Sequence, residues 1–76
     1  MEIKVLGPGC AKCKEAEKVV QEAVKESGVA ATVEKVSDFQ QIAAFGVFST
    51  PAVVIDGEVK VVGKVPSKNE VLSWLK

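Results

Sequence analysis

Cys10 and Cys13 are the residues of this chain best suited to chemistry, and they are its only cysteines. Two thiols separated by two residues suit disulfide exchange, which needs a thiolate nucleophile and a second thiol that resolves the mixed disulfide. Closing so short a loop removes little entropy from the unfolded chain, so a bond between them would stabilise the fold poorly. A small secreted domain held by disulfides carries about four cysteines or more. The pair therefore predicts a redox centre rather than a structural bridge.

The position of the pair predicts a role for each thiol. Cys10 falls where a strand and its loop meet a helix, and unpaired backbone N–H groups and the helix dipole favour negative charge there. Cys13 follows one turn later on the same face, within reach of Cys10. Lys12 and Lys14 add positive charge nearby. We expect Cys10 to have a lowered pKa and to attack the substrate, and Cys13 to release it.

Three other roles for the cysteines are alternatives to exchange chemistry. Buried cysteines often act as small hydrophobic residues, but two at this spacing, at a helix start, favour the redox pair. Structural zinc takes about four ligands, whereas the chain has two Cys and no His. Cu(I) is soft enough to be held by two thiolates alone, so a soft-metal carrier using Cys10 and Cys13 is the alternative function. Heavy-metal carrier domains usually have a Met two residues before the first cysteine, where this chain has Pro8.

Composition narrows the class of protein. The 76 residues suffice for one domain, residues 1–76, and 10 basic residues balance 10 acidic ones. This balance argues against nucleic acid or an acidic membrane as partner. No apolar run approaches the roughly 20 residues of a membrane-spanning helix, and the N-terminus is too short and charged for a signal peptide. We expect a cytoplasmic monomer with no metal and no cofactor.

Local patterns predict the elements that position the pair. Residues 2–6 form a strand and Gly7–Gly9 break it, before a helix over residues 11–27 that ends at Gly28. One apolar stripe runs along that helix: Ala16, Val19, Val20, Ala23 and Val24.

The second half alternates strands and short helices. Residues 29–36 indicate a strand, and Ser37 with Gln40 a capping box that opens a short helix. That helix has Phe39, Ile42 and Ala43 on its inner face and ends at Gly46. A hairpin follows over residues 52–62 with Asp56-Gly57 at its type I′ turn. Ser67 and Glu70 cap the last helix, whose apolar residues are Val71, Leu72, Trp74 and Leu75.

The resulting order is βαβαββα, an α/β architecture with a four-stranded mixed sheet and three helices. Thr50-Pro51 stands directly before the third strand, where a proline belongs at the strand start. Together with Gly9-Cys10-Ala11-Lys12-Cys13 and this order of elements, Thr50-Pro51 resembles the thioredoxin/glutaredoxin superfamily. The likeness is strongest to the small thioredoxin-like redox-active disulfide proteins of archaea and bacteria, and it covers nearly the whole chain.

The resemblance implies a minimal thioredoxin-like fold and a dithiol–disulfide oxidoreductase acting on protein disulfides. Pro51 would be cis and pack against the active-site disulfide, and the backbone of Thr50 would pair with an extended substrate. The reductase that recharges such a protein is not identified by the sequence.

The chain also departs from the family. Lys4 stands where thioredoxins bury an acid, which leaves proton handling to solvent or to Lys12 or Lys14. The segment before the last helix retains one glycine, Gly63, and has Ser67 at the cap, so it does not match a glutaredoxin glutathione site. We expect Phe39 and Phe45 in the core, and we expect Phe48 to face the cysteines on an apolar docking surface.

Overall fold

A computed structural model describes residues 1–9 and 11–75 of the chain. Within them the elements follow the predicted order, and the first strand and first helix have the predicted bounds. The elements are β1 (Glu2–Leu6), α1 (Ala11–Ser27), β2 (Thr32–Val36), α2 (Phe39–Ala44), β3 (Ala52–Ile55), β4 (Glu58–Val62) and α3 (Lys68–Trp74).

The four strands form one mixed sheet in the order β2-β1-β3-β4. The central strand β1 runs parallel to β2 and antiparallel to β3, and β3 and β4 form the predicted hairpin. Both turn residues have positive φ angles, 50° at Asp56 and 82° at Gly57, as a type I′ turn requires. The predicted α/β fold, a four-stranded mixed sheet with three helices, is confirmed.

Apolar residues are buried on both faces of the sheet because successive side chains of a strand point to opposite faces. Ile3 and Val5 of β1 belong to one cluster with α1 and α3, whereas Leu6 belongs to a second cluster with Ile42 of α2. The first cluster is the larger one: Ile3, Val5, Ala16, Val20, Ala23, Val53, Ile55, Val61, Val71 and Leu75. Two helices therefore cover one face of the sheet, and the six-residue α2 covers the other.

α1 and α3 are also joined at their ends. Lys68 at the start of α3 contacts Glu26 near the end of α1 with 2.8 Å between Nζ and Oε2. The hydrogen bond to Glu26, and then its negative charge, raises the pKa of Lys68. Ser67 and Glu70 form the predicted capping box of α3.

The start of β2 differs from the prediction. The alternating pattern suggested a strand from residue 29, but β2 begins at Thr32. Thr32 is in register with Glu2, the first residue of β1, so residues 29–31 have no strand residue of β1 left to pair with. The strand is limited by its partner, not by its own sequence.

α2 also differs from the prediction. Its N-cap is Asp38 and not Ser37, and the Asp38 carboxylate accepts a hydrogen bond from the backbone N–H of Gln40 at 2.8 Å. Of the three residues predicted to face inward, Ile42 is buried, whereas Ala43 is exposed and Phe39 is 68% exposed. Because the helix starts one residue later and is only six residues long, it presents a single buried position to the sheet.

Candidate active site

The predicted nucleophile, Cys10, lies outside the described residues. Its neighbours Gly9 and Ala11 are described, and α1 begins at Ala11. The loop between β1 and α1 is therefore where the sequence predicted it. This position brings the start of α1 to the carboxyl end of β1, the central strand of the sheet.

Cys13 is a buried residue of the first turn of α1, with 1% of its surface exposed. It continues the buried stripe of the helix, which comprises Cys13, Ala16, Val20 and Ala23. This spacing of three, four and three residues keeps the side chains on one face of the helix. The helix thus carries the thiol against the end of the sheet and not toward solvent.

The Cys13 side chain lies against the backbone of Gly7, the residue that follows β1. A Cβ atom placed on Gly7 would overlap Sγ of Cys13 and lie 2.9 Å from its Cβ. The same point lies 3.8 Å from Cβ of Thr50. Three separate segments therefore meet at the thiol: the end of β1, the first turn of α1 and the loop before β3.

The loop before β3 has the backbone that the resemblance implies. The peptide bond between Thr50 and Pro51 is cis. Pro51 is fully buried, and its carbonyl accepts a hydrogen bond from the N–H of Gly63 at 2.8 Å. Thr50 is half-exposed. The structure thus brings Thr50 to Cys13 and leaves part of Thr50 open to solvent, while its role in binding substrate stays a prediction.

The structure adds a lysine to the two that the sequence indicated near the site. Lys12 and Lys14 are exposed on α1. A third lysine, Lys35 on β2, has its Nζ 3.7 Å from the position that a Cβ on Gly9 would occupy. Lys35 is far from the cysteines in the sequence, and only the parallel pairing of β1 with β2 brings it to this loop.

Lys4 is the residue that the resemblance aligns with a buried acid of the family. It is half-buried, forms an ion pair with Glu2 at 3.2 Å, and its Nζ lies 5.3 Å from the centre of the Phe45 ring. An ammonium group at this distance is attracted by the negative face of an aromatic ring. Phe45 itself is half-buried and packs against the second core cluster, in keeping with the predicted core position.

Exposed aromatic side chains line a cavity that reaches Thr50. Phe48 is 86% exposed, and Phe39 on α2 is 68% exposed. The cavity has a volume of about 270 Å³, and its lining residues are Phe39, Ile42, Ala43, Val47, Phe48 and Thr50. Phe39 was predicted to be in the core and instead extends this surface, because α2 is too short to bury it.

A larger cavity of about 550 Å³ lies elsewhere, between the end of α1 and α3. It is lined in part by Ser27, which is 14 residues from Cys13 along the same helix, a separation of about 21 Å at the rise of an α-helix. This cavity is therefore remote from the predicted redox centre.

Among residues 1–9 and 11–75, no three or more His, Cys, Asp or Glu side chains are grouped so that they could hold a metal ion. The copper alternative needs Cys10, which lies outside these residues. No helix in the same part of the chain is long and apolar enough to cross a membrane.

Comparison with known proteins places this sequence in a family. The sequence matches the family model described as thioredoxin domain over residues 1–76. It is 44% identical over 71 residues to a thioredoxin of Methanothermobacter thermautotrophicus, covering 93% of this chain and 92% of that protein. It is 40% identical over 74 residues to a thioredoxin of Methanocaldococcus jannaschii, covering 97% of this chain and 85% of that protein.

Proposed function

Because the chain belongs to the thioredoxin family, we propose that it is a dithiol–disulfide oxidoreductase that reduces disulfides in protein substrates through Cys10 and Cys13. The observation that carries this proposal is the meeting of the Cys13 thiol, the backbone of Gly7 and Thr50, the residue before Pro51. Such a site holds one thiol in place and has a half-exposed residue next to it that an extended substrate could reach.

The proposed reaction proceeds in two exchanges. The Cys10 thiolate attacks one sulfur of the substrate disulfide, forming a Cys10–substrate disulfide and releasing the other substrate sulfur as a thiolate. The Cys13 thiol, on losing its proton, attacks Sγ of Cys10. The Cys10–Cys13 disulfide forms, the mixed disulfide breaks, and the second substrate sulfur leaves as a thiolate. Two electrons pass to the substrate, and both substrate thiolates take up protons.

The burial of Cys13 supports this division of roles. With 1% of its surface exposed, Cys13 cannot be reached by a folded substrate, but it can attack a neighbouring residue of its own chain. A resolving thiol needs only to reach that neighbouring residue. The nucleophile of the pair must then be Cys10.

Positive charge near the loop supports the thiolate form of Cys10. The amino end of α1 favours an anion, and Lys12 and Lys14 lie in its first turn. Lys35 adds a third ammonium group beside Gly9, the residue directly before Cys10. We include Lys35 with Lys12 and Lys14 among the residues that lower the pKa of Cys10.

We further propose that the protein works as a monomer in the cytoplasm, recharged by a reductase not yet identified. The equal numbers of acidic and basic residues favour neither nucleic acid nor an acidic membrane as partner. The partners of the site are then protein disulfides, which bind at Thr50 and Pro51.

An insulin-reduction assay with a dithiol donor tests the function. The wild-type protein is expected to accelerate insulin reduction, and Cys10→Ser to abolish the acceleration. Cys13→Ser is expected to accumulate a covalent Cys10–insulin disulfide, visible by mass spectrometry and removed by excess dithiol. Equal activity of wild type and Cys10→Ser would contradict the proposal. Tight Cu(I) binding in competition with a chelator, without insulin reduction, would favour the soft-metal alternative.

A further inference from the structure

Gly7 has no role in the reaction described so far, yet its contacts constrain the resolving thiol. Gly7 is buried, and its N–H donates to the carbonyl of Val36 at 2.8 Å, which continues the pairing of β1 with β2 by one residue. On its other side, the space that a side chain would fill is taken by Sγ of Cys13.

We propose that Gly7 is a positioning residue for the resolving step, because the absence of a side chain at Gly7 lets the Cys13 thiol lie against the end of β1. This inference rests on the proposed function. It concerns only the second exchange, in which Cys13 attacks Cys10.

The surrounding structure makes the thiol the part that must move furthest if Gly7 gains a side chain. The backbone of Gly7 is tied to β2 through Val36. The α1 backbone is held by Ala16 and Val20, both with no exposed surface. A methyl group at Gly7 would overlap Sγ of Cys13, so the thiol must leave its place, for which the side chain has other staggered rotamers. The same methyl group would lie 2.9 Å from Cβ of Cys13, so the first turn of α1 must also shift by a few tenths of an ångström.

A displaced Sγ would impair the resolving step more than the first attack. A disulfide forms only within narrow limits, with a sulfur–sulfur bond of about 2.05 Å and a dihedral angle near 90°. Misplacing a reacting group by about 1 Å can cost a factor of about 100 in rate. The first attack uses Cys10 and the substrate alone. Gly7→Ala should therefore slow resolution by about tenfold or more and leave the first attack unchanged.

An aromatic disulfide that releases a coloured thiolate, used in stopped-flow experiments, separates the two steps. The first release reports attack by Cys10 and depends on reagent concentration. The second reports resolution by Cys13 and does not. For Gly7→Ala we expect a wild-type first phase and a second phase slowed by about tenfold or more. Gly28→Ala is the control: its φ of 71° strains an alanine and costs stability, but no atom lies within 4 Å of the added Cβ, so both of its phases should match wild type.

The outcomes separate the inference from the function. A biphasic wild type with an identical second phase in Gly7→Ala would overturn the inference and leave the function standing. A wild type without a first phase would contradict the function and the inference together. Equal slowing in Gly7→Ala and Gly28→Ala would show a general loss of structure and would also overturn the inference.

A second measurement covers the case in which Gly7→Ala folds poorly. The urea midpoint is measured for four proteins: wild type, Gly7→Ala, Cys13→Ala and Gly7→Ala/Cys13→Ala. The Cys13→Ala background lacks Sγ. If Gly7 makes room for the thiol, the alanine at position 7 should lower the midpoint clearly in the wild-type background and less in the Cys13→Ala background. An equal loss in both backgrounds would overturn the inference.

Discussion

The charges around the loop that precedes α1 come from residues that the sequence separates widely. Lys12 and Lys14 flank Cys13 on α1, and both are exposed to solvent, as is Lys35. Lys35 reaches the loop from β2, and its Nζ lies beside Gly9. An ammonium group close to a thiolate lowers the free energy of the charged form and hence the pKa of the thiol. Lys35 is the charge that the fold brings next to the residue preceding the proposed nucleophile.

Lys35→Met is expected to raise the pKa of Cys10 by about 0.5 unit, because Lys35 is exposed and an exposed charge contributes less than about 1 kcal/mol. The pKa is measured from the pH dependence of Cys10 alkylation in a Cys13→Ser background. Lys60→Met is the control, since Lys60 is paired with Glu58 on β4. The effect of Lys35→Met should shrink at high salt through screening. An unchanged pKa of Cys10 at low salt would show that Lys35 does not stabilise the thiolate.

At the scale of elements, the residue at which α2 starts determines which side chains line the cavity that reaches Thr50. Asp38 caps the helix and Ile42 anchors it to the sheet. The chain then passes through buried Val47 to Thr50 and Pro51. Since α2 has only six residues, its own backbone hydrogen bonds stabilise it little, and it depends on its cap and on the packing of Ile42.

Asp38→Ala is expected to lower the free energy of unfolding by about 1 kcal/mol through loss of the N-cap hydrogen bond. Ser37→Ala, a change at the exposed residue directly before it, should alter the free energy of unfolding by less than about 0.5 kcal/mol. Urea unfolding at neutral pH measures both. Equal losses for the two variants would mean that Ser37 shares the cap, as the sequence pattern had indicated.

At the scale of the whole molecule, the two faces of the sheet are covered unequally. α1 and α3 close one face over the larger core cluster. On the other face the single short helix α2 leaves Phe39 and Phe48 exposed around a cavity that ends at Thr50. An apolar surface beside a redox site suits a polypeptide substrate, which can bury its own apolar side chains there. A small disulfide would gain little from it.

Phe48→Ala is therefore expected to raise KM for insulin by several-fold to about tenfold, with little change in kcat, because a buried aromatic contact contributes about 1 kcal/mol or more. The rate with a small disulfide reagent should stay at the wild-type value. Val24→Ala is the control, because Val24 packs on the opposite face of the sheet. An equal loss with both substrates would mean that Phe48 supports the fold and not docking.

The sequence by itself determined the order of elements, the bounds of β1 and α1, the Asp56-Gly57 turn and the α3 capping box. These features depend on neighbours within a few residues, so apolar periodicity, turn residues and caps suffice to predict them. The candidate site was predicted in the same way through Cys10, Cys13, Thr50 and Pro51. Their residue types and the family resemblance carried that prediction.

Only the tertiary structure decided what depends on contacts between distant segments. The start of β2 is set by the start of its parallel partner strand, and the exposure of Phe39 by the area that α2 can cover. The position of Lys35 beside Gly9, and the space at Gly7 that Cys13 fills, likewise arise from packing between separate elements. A glycine that is predicted from the sequence only to break the chain is, in the fold, the surface against which the Cys13 thiol lies.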